Sequence, residues 1–421
     1  MKRKKLVAMV AVGATVLSVA FAGTAGARVH TATRGVTDTS IKVAGLTDNQ
    51  QPEAADGAKV VFDAANAAGG VNGRKFDYSG GNNDKGDSSN DLSLGRKIVQ
   101  QDGAFAVVPV VTPNFGAGAF FDQQKVPYFG WGIATPFCGS KYGFGFTGCI
   151  VPPAPVTVAG STWGALLNVD LKSKGLGGAK GKAAAVISED NDSGKTGFKV
   201  IAASAKSVGM KVTYSKASVP APPATVGDYS PFVNDILTSN NGKAPDVVFL
   251  VTSFQNVIGL AGALQKAGFT GIITNAVAYD PRLTKTAQGE TPFTQFSIPE
   301  SAPTNPNMQK INDQIKKFAP AGTAVTQGFL AGYFSADYFV KAVKKAGKNL
   351  TPDTLVKAVD KMTYEIKGVI GPTKYPYASK YGSPCGALAE SNGTAYSVVA
   401  PYHCYTNITL KGLKPIPYKL K

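Results

Sequence analysis

Apolar side chains along the first part of the chain fall into short runs separated by helix-favouring stretches. Ile41, Val43 and Leu46 mark a first strand, and residues 54–66 are Ala-rich and suited to a helix. Gly69-Gly70 followed by Asn72-Gly73 stops that helix and turns the chain into a second strand from Lys75. The result is one β-α-β unit. The alternation continues with strands expected at 105–110 and 126–130 and helices near 88–101 and 114–123. It then begins again with strands at 183–187, 211–214, 247–251 and 272–274 and helices near 193–207, 229–239 and 254–267. Strands separated by helices of this length imply parallel sheets covered on both faces. Two such series in one chain imply an α/β protein of two Rossmann-like lobes.

Two further helices follow. Residues 326–346 place Phe329, Tyr333, Ala336, Phe339, Val340 and Val343 on one face, and 353–361 begins after Thr351 as N-cap with Pro352 at the first position. The stretch 218–223, with three prolines, reads as a surface loop. From Lys367 onward the chain is rich in turn residues and tyrosine and shows no clear period.

The N-terminus is of another kind. Lys2, Arg3, Lys4 and Lys5 precede an apolar run over 6–22 and the small residues Ala25-Gly26-Ala27. This is the pattern of an export signal, with cleavage expected after Ala27. The run is about 17 residues long, marginal for a membrane span. The 421-residue chain is 43% hydrophobic, which suits a globular protein with room for two cores. Its formal charge of +17 is spread over helix surfaces with no like-charge run beyond a Lys pair after the leader. Solvated faces explain this better than nucleic-acid binding, for which no aromatic-plus-basic module is present.

Cys138, Cys149, Cys385 and Cys404 fall into two local pairs. In an exported chain they read as two disulfides, most simply Cys138 with Cys149 and Cys385 with Cys404, although three connectivities exist. A zinc site using Cys385, His403 and Cys404 is the rival, but the spacing fits no ribbon or finger. Gly143, Gly145 and Gly148 match the dinucleotide pattern G-x-G-x-x-G, yet they lie inside the Cys138 to Cys149 loop and not between a strand and a helix. A flexible, disulfide-closed loop is expected there. Gly194-Lys195-Thr196 lacks the earlier glycine of a phosphate loop. His30 and His403 are the only histidines, no Gly-x-Ser-x-Gly elbow occurs, and no free thiolate is expected, so catalysis has little support.

The segments RGVTDTSIKVAGL (34–46) and AANAAGGVNGRKFDY (64–78) resemble the opening of type I extracytoplasmic solute-binding proteins of ABC transporters, in the branched-chain amino acid group. The resemblance extends over about 34–346. It implies two lobes joined by a multi-strand hinge, with the first crossing at 151–155 and the second near 278–281. Residues 1–27 would then be the signal peptide, 36–154 plus 281–363 the first lobe, and 155–280 plus 364–421 the second.

The resemblance also implies a ligand in the cleft, beyond the C-terminal strand ends. The family's carboxylate-gripping hydroxyl residues map without a gap onto Thr112 and Thr135, although Thr112, before Pro113 and Asn114, is also placed to cap a helix. Where amino-acid binders carry tyrosines this chain has Ser193, and Ser253 followed by Phe254. The acid that pairs with a ligand ammonium should lie near Val277, and the nearest is Asp280. An unpaired buried ammonium costs several kcal/mol, so an ordinary α-amino acid fits poorly. Phe115, Trp131, Phe137, Phe254 and Tyr279 would line a pocket for an apolar or aromatic solute, with Asp48, Gln50, Asn275 and Asp280 as polar contacts. The expected protein is therefore no enzyme and needs no cofactor. It is an exported, monomeric binding protein that delivers an amino-acid-like, amide or apolar or aromatic carboxylate solute to a membrane permease, or else a sensor that reports the ligand to a receptor. It has no lipid anchor, since no Cys precedes Cys138.

Overall fold

The computed structural model describes residues 33–418; the leader and the cleavage expected after Ala27 lie outside them. The first series forms β1 (Ser40–Thr47), α1 (Ala54–Ala67), β2 (Lys75–Asn83), α2 (Ser88–Arg96), β3 (Ala106–Val111), α3 (Gly118–Gln123), β4 (Tyr128–Gly130) and β5 (Gly143–Gly145). The strands make one parallel sheet in the order β2-β1-β3-β4-β5. Every residue of β3 is buried, as expected for a central strand covered on both faces. Pro109 sits in its middle, and the register slips beside it on both neighbours, because proline offers no N–H to the ladder. Two expected helices differ in detail. α2 passes into a π turn at Lys97–Gln101. α3 starts at Gly118, later than expected, because Asp91 Oδ1 takes the N–H groups of Gly116 and Ala117.

The second series forms β6 (Val158–Gly160), α4 (Thr162–Ser173), β7 (Ala183–Glu189), α5 (Asp192–Ser207), β8 (Lys211–Val219), α6 (Ser230–Leu237), β9 (Val247–Val251), α7 (Phe254–Lys266), β10 (Ile272–Asn275) and β11 (Thr291–Thr294). There follow α8 (Pro306–Phe318), α9 (Gln327–Ala346), α10 (Pro352–Asp360), the hairpin β12 (Thr363–Ile366) and β13 (Ile370–Lys374), and then β14 (Cys385–Ser391), β15 (Tyr396–Cys404), β16 (Asn407–Thr409) and β17 (Pro415–Ile416). The second sheet runs β15-β14-β11-β10-β9-β7-β8, parallel from β11 to β8 and antiparallel at β14 and β15. β17, β16 and β6 form a small third sheet.

α9 returns to the first lobe and packs on α1. A Cβ at Gly57 would collide with the Phe329 carbonyl, and one at Gly332 with that of Ala54, so the two helices touch backbone to backbone. Phe329, Phe334, Tyr338 and Phe339 join Phe62, Phe129 and Phe144 in the main core. Two of the expected lobe limits shift. β11 belongs to the seven-stranded sheet, although 281–363 was expected in the first lobe. Tyr364, Ile370 and Tyr375 pack into the first core, although 364–421 was expected in the second. The second crossing therefore follows Thr294, and a third follows β13.

Both disulfides take the local pairing, Cys138 with Cys149 and Cys385 with Cys404, the latter joining facing residues of β14 and β15. This removes the zinc alternative, because its two thiolates are bonded to each other. The loop closed by Cys138 and Cys149 is not flexible as expected. Gly143, Phe144 and Gly145 are the buried fifth strand, a Cβ at Gly143 would collide with the Tyr128 ring, and Gly145 N–H donates to Tyr375 Oη at 2.8 Å. The glycines serve close strand packing, not phosphate binding.

Candidate functional site

The parallel strands of both sheets end towards one crevice, where the loops that follow them meet. From the first lobe come Asp48, Gln50 and Gln51 after β1, Pro113 after β3, and Trp131 and Ile133 after β4. From the second come Glu189 at the end of β7, Asn191 and Ser193 at the start of α5, Thr252, Ser253 and Phe254 after β9, Ala276 and Val277 after β10, and Gln295 after β11. With residues 149–152, 158–160, 162–163 and 380–385 they enclose a cavity of about 220 Å³ with mostly apolar walls.

Five of the lining side chains bury a polar atom that has no partner in the protein: Trp131 Nε1, Thr162 Oγ1, Thr252 Oγ1, Ser253 Oγ and Gln295 Oε1. A buried donor or acceptor left unpaired costs about 1 to 3 kcal/mol, so such atoms mark where a bound molecule supplies the missing bonds. A second, larger hollow of about 510 Å³ lies between Leu171, Leu237 and Phe269 at the opposite ends of the strands. None of the unpartnered atoms among the described residues lines it.

Two carboxyl groups face each other across the crevice. Asp48 Oδ1 accepts the N–H groups of Gln50 at 3.0 Å and Gln51 at 2.8 Å, which fixes the loop after β1. Burial, then the nearby Asp84 and more weakly Glu189, push the Asp48 carboxyl up to about 7, against the pull of those two N–H groups. Glu189 Oε1 accepts Ser253 N–H at 2.9 Å and Asn256 Nδ2 at 2.7 Å, and so ties the end of β7 to the start of α7.

The lobes also bond directly at the rim. Gln255 N–H donates to Gln50 Oε1 at 2.9 Å, Ser193 Oγ to the Pro113 carbonyl at 3.3 Å, and Asn191 Nδ2 to Asn114 Oδ1 at 3.4 Å. Asn114 Nδ2 donates to the Gly86 carbonyl at 2.8 Å and the Pro222 carbonyl at 3.3 Å. Pro222 lies in the stretch expected to be a plain surface loop; that loop is part of the rim. Both lips are thus bonded to each other across the crevice.

Of the residues singled out from sequence, Asp48, Gln50, Trp131, Ser193, Ser253 and Phe254 line this cavity. Thr112, Thr135, Tyr279 and Asp280 do not. Thr112 is buried behind the crevice, where its hydroxyl lies beside Asp84 and accepts Asn114 N–H at 3.3 Å. Thr135 opens the short 3-10 turn Thr135–Phe137. Tyr279 Oη donates to Glu300 at 2.8 Å, and the Asp280 carboxylate is gripped by Arg282 through Nε at 2.9 Å and Nη2 at 2.6 Å. Phe115 and Phe137 pack edge-to-face with Tyr128 in a separate core cluster, and Asn275 bonds Glu290. Sequence reasoning missed Glu189, Gln51, Thr162, Thr252 and Gln295. For Glu189 the signal was present, an acid closing the buried run Ala-Ala-Ala-Val-Ile-Ser.

No curated protein sequence matches the chain. Solved structures do. A fatty acid ABC transporter substrate-binding protein from Thermomonospora curvata matches with a TM-score of 0.68 at 20% identity, over 89% of this chain and 94% of that one. A branched-chain amino acid transporter substrate-binding protein from Streptococcus pneumoniae, in complex with isoleucine, matches with a TM-score of 0.63 at 16% identity, over 86% of this chain and 100% of that one. An ABC transporter solute-binding protein from R. palustris, in complex with benzoate, matches with a TM-score of 0.65 at 12% identity, over 87% and 98%. The two-lobe fold is thus shared with proteins of very different sequence. The family profile described as periplasmic binding protein matches residues 39–395, nearly the whole of both lobes, and the chain belongs to that family.

Proposed function

We propose that this chain is the extracytoplasmic solute-binding component of an ABC importer, and that it works as a monomer that closes its lobes on a largely apolar small molecule with a small polar head. The observation that carries this reading is the set of five unpartnered buried polar atoms in a mostly apolar cavity between the strand ends. The similar proteins bind fatty acid, isoleucine or benzoate according to their descriptions, which spans the same chemistry. Closure needs only that the solute bind the closed form better than the open one. Binding, not turnover, is the reading because the cleft hydroxyls are not activated: Ser193 donates to a backbone carbonyl and Ser253 Oγ has no partner. Native mass spectrometry of the protein purified from its own host tests this. A small molecule that leaves on denaturation and is recovered unchanged is expected. A protein free of any small molecule that also shows no thermal shift with apolar acids, amides or amino acids would overturn the proposal, as would conversion of the bound molecule.

A further inference from the structure

The cavity is lopsided. The loops after β1, β3 and β4 supply one lip, but most of the wall belongs to the second lobe and reaches well past its strand ends. α5 lines it from Ser193 through Gly197 to Ile201, about 12 Å of helix at 1.5 Å per residue. Gly194 lets α5 sit against the backbone of Glu189, and Gly197, one turn on, leaves the lining open where a side chain would stand. A Cβ at Gly197 would meet only Val251 Cγ1, at 3.0 Å. Ala159 on β6 and Trp163 on α4 line the same deep part. Ala159, Val200 and Ile408 form a small cluster apart from the main core of that lobe.

Most of the polarity is gathered at one end. Asp48, Trp131, Glu189, Thr252, Ser253 and Gln295 lie at strand ends, whereas α5 beyond Ser193 lines the cavity with Gly197, Val200 and Ile201, and among the described lining residues the one unpartnered polar atom away from the strand ends is Thr162 Oγ1 at the start of α4. Resting on the solute-binding reading above, we propose that the occupant is an elongated amphiphile, with its polar head between the strand ends and an unbranched apolar tail running into the second lobe along α5. A compact solute would fill the crevice and leave the wall along α5 without a contact. A tail there removes apolar surface from water on both molecules. The head must bring a donor for the free Asp48 side and an acceptor for Trp131 Nε1–H, which a primary amide does and a protonated carboxyl does as well.

The test is calorimetric titration of the purified, ligand-stripped protein with two homologous series, n-alkanamides from butanamide to tetradecanamide and the matching n-alkanoates. Each buried methylene is worth about fourfold in affinity, so tightness should climb with length and then level off where the chamber ends. Gly197→Leu should bring that levelling forward by several methylenes while leaving butanamide within twofold of the parent, with Gly197→Ala in between. If Gly197→Leu lowers the melting temperature, Ala159→Leu, beside Val200 on the neighbouring strand β6, narrows the same chamber. Short members that bind as tightly as long ones overturn the tail chamber and leave the cleft reading standing, as does an unchanged length profile in both blocked variants or a compact co-purified molecule. Failure of every member, together with the absence of any co-purified molecule, overturns the cleft reading itself.

Discussion

Gln50 Oε1 accepts the backbone N–H of Gln255 at 2.9 Å, so a side chain from the first lobe caps a helix of the second. The usual cap is vacant: Ser253, at the N-cap of α7, makes no side-chain capping bond. A helix start that one lobe leaves unsatisfied is thus completed only when the other closes on it. Gln50→Ala should shift the lobes towards the open form and weaken solute binding by about twofold to tenfold, the worth of one exposed hydrogen bond. The melting temperature of the stripped protein should not change. Small-angle scattering without solute and calorimetry with the co-purified solute read the two effects; unchanged affinity and an unchanged radius of gyration would show that this bond does not govern closure.

Trp131 and Thr112 sit at adjacent strand ends and both are buried, yet only Trp131 turns an unpartnered polar atom to the cavity. Trp131→Phe removes the indole N–H and keeps much of the apolar bulk. It should weaken the solute by roughly 5-fold to 150-fold, the cost of leaving a buried acceptor unpaired. Thr112→Val should instead lower the melting temperature, because the buried Thr112 hydroxyl accepts Asn114 N–H and lies beside the Asp84 carboxyl, and should leave affinity within twofold. The reverse pattern in calorimetry and thermal melting would return Thr112 to the solute and remove Trp131.

Period and turn chemistry made the β-α alternation legible, because buried parallel strands are short apolar runs and their helices end on glycine. α8 carried the same kind of signal, with Asn305 as N-cap, Pro306 after it and Met308, Ile311 and Ile315 at helical spacing, but it sits beyond the regular alternation. α4 buries Trp163, Leu166, Leu167 and Leu171 at helical spacing and was equally readable. β5 was not, since Gly-Phe-Gly reads as a loop until the Tyr128 ring packs against it. The site was half legible for a related reason. Strand ends locate Asp48, Trp131, Ser193 and Ser253, but whether a hydroxyl faces the solute or a neighbour depends on partners far along the chain. Asp84, on another loop, stands beside Thr112, and no local pattern announces it; for Asp280 the partner was local, since Arg282 two residues on grips its carboxylate.

Asp84 and Asp91 form a fully buried carboxyl pair beneath the first lobe's lip. They are hydrogen-bonded to each other, and each keeps an Oδ2 with no other partner. Asp91 Oδ1 holds the N–H groups of Gly116 and Ala117, and Asp84 Oδ1 that of Gly86 at 2.7 Å, so the pair ties the loop after β2 and the start of α2 to the loop after β3. Burial foremost, and then the charge of Asp84, push the Asp91 carboxyl up; burial does the same to Asp84, and neighbouring Asp48 rises to about 7. An acid whose folded value lies above its unfolded value of about 3.9 favours the protonated native state. Its stabilisation is complete below pH 4 and is lost as the pH climbs through the folded value. Asp91→Asn keeps the acceptor for Gly116 and Ala117 and offers an N–H to Asp84 without a second charge. The parent should therefore lose melting temperature relative to Asp91→Asn as the pH rises from 5 to 8. Thermal melts of both proteins across that range measure the gap, and a difference that stays constant would mean the pair does not hold a shared proton.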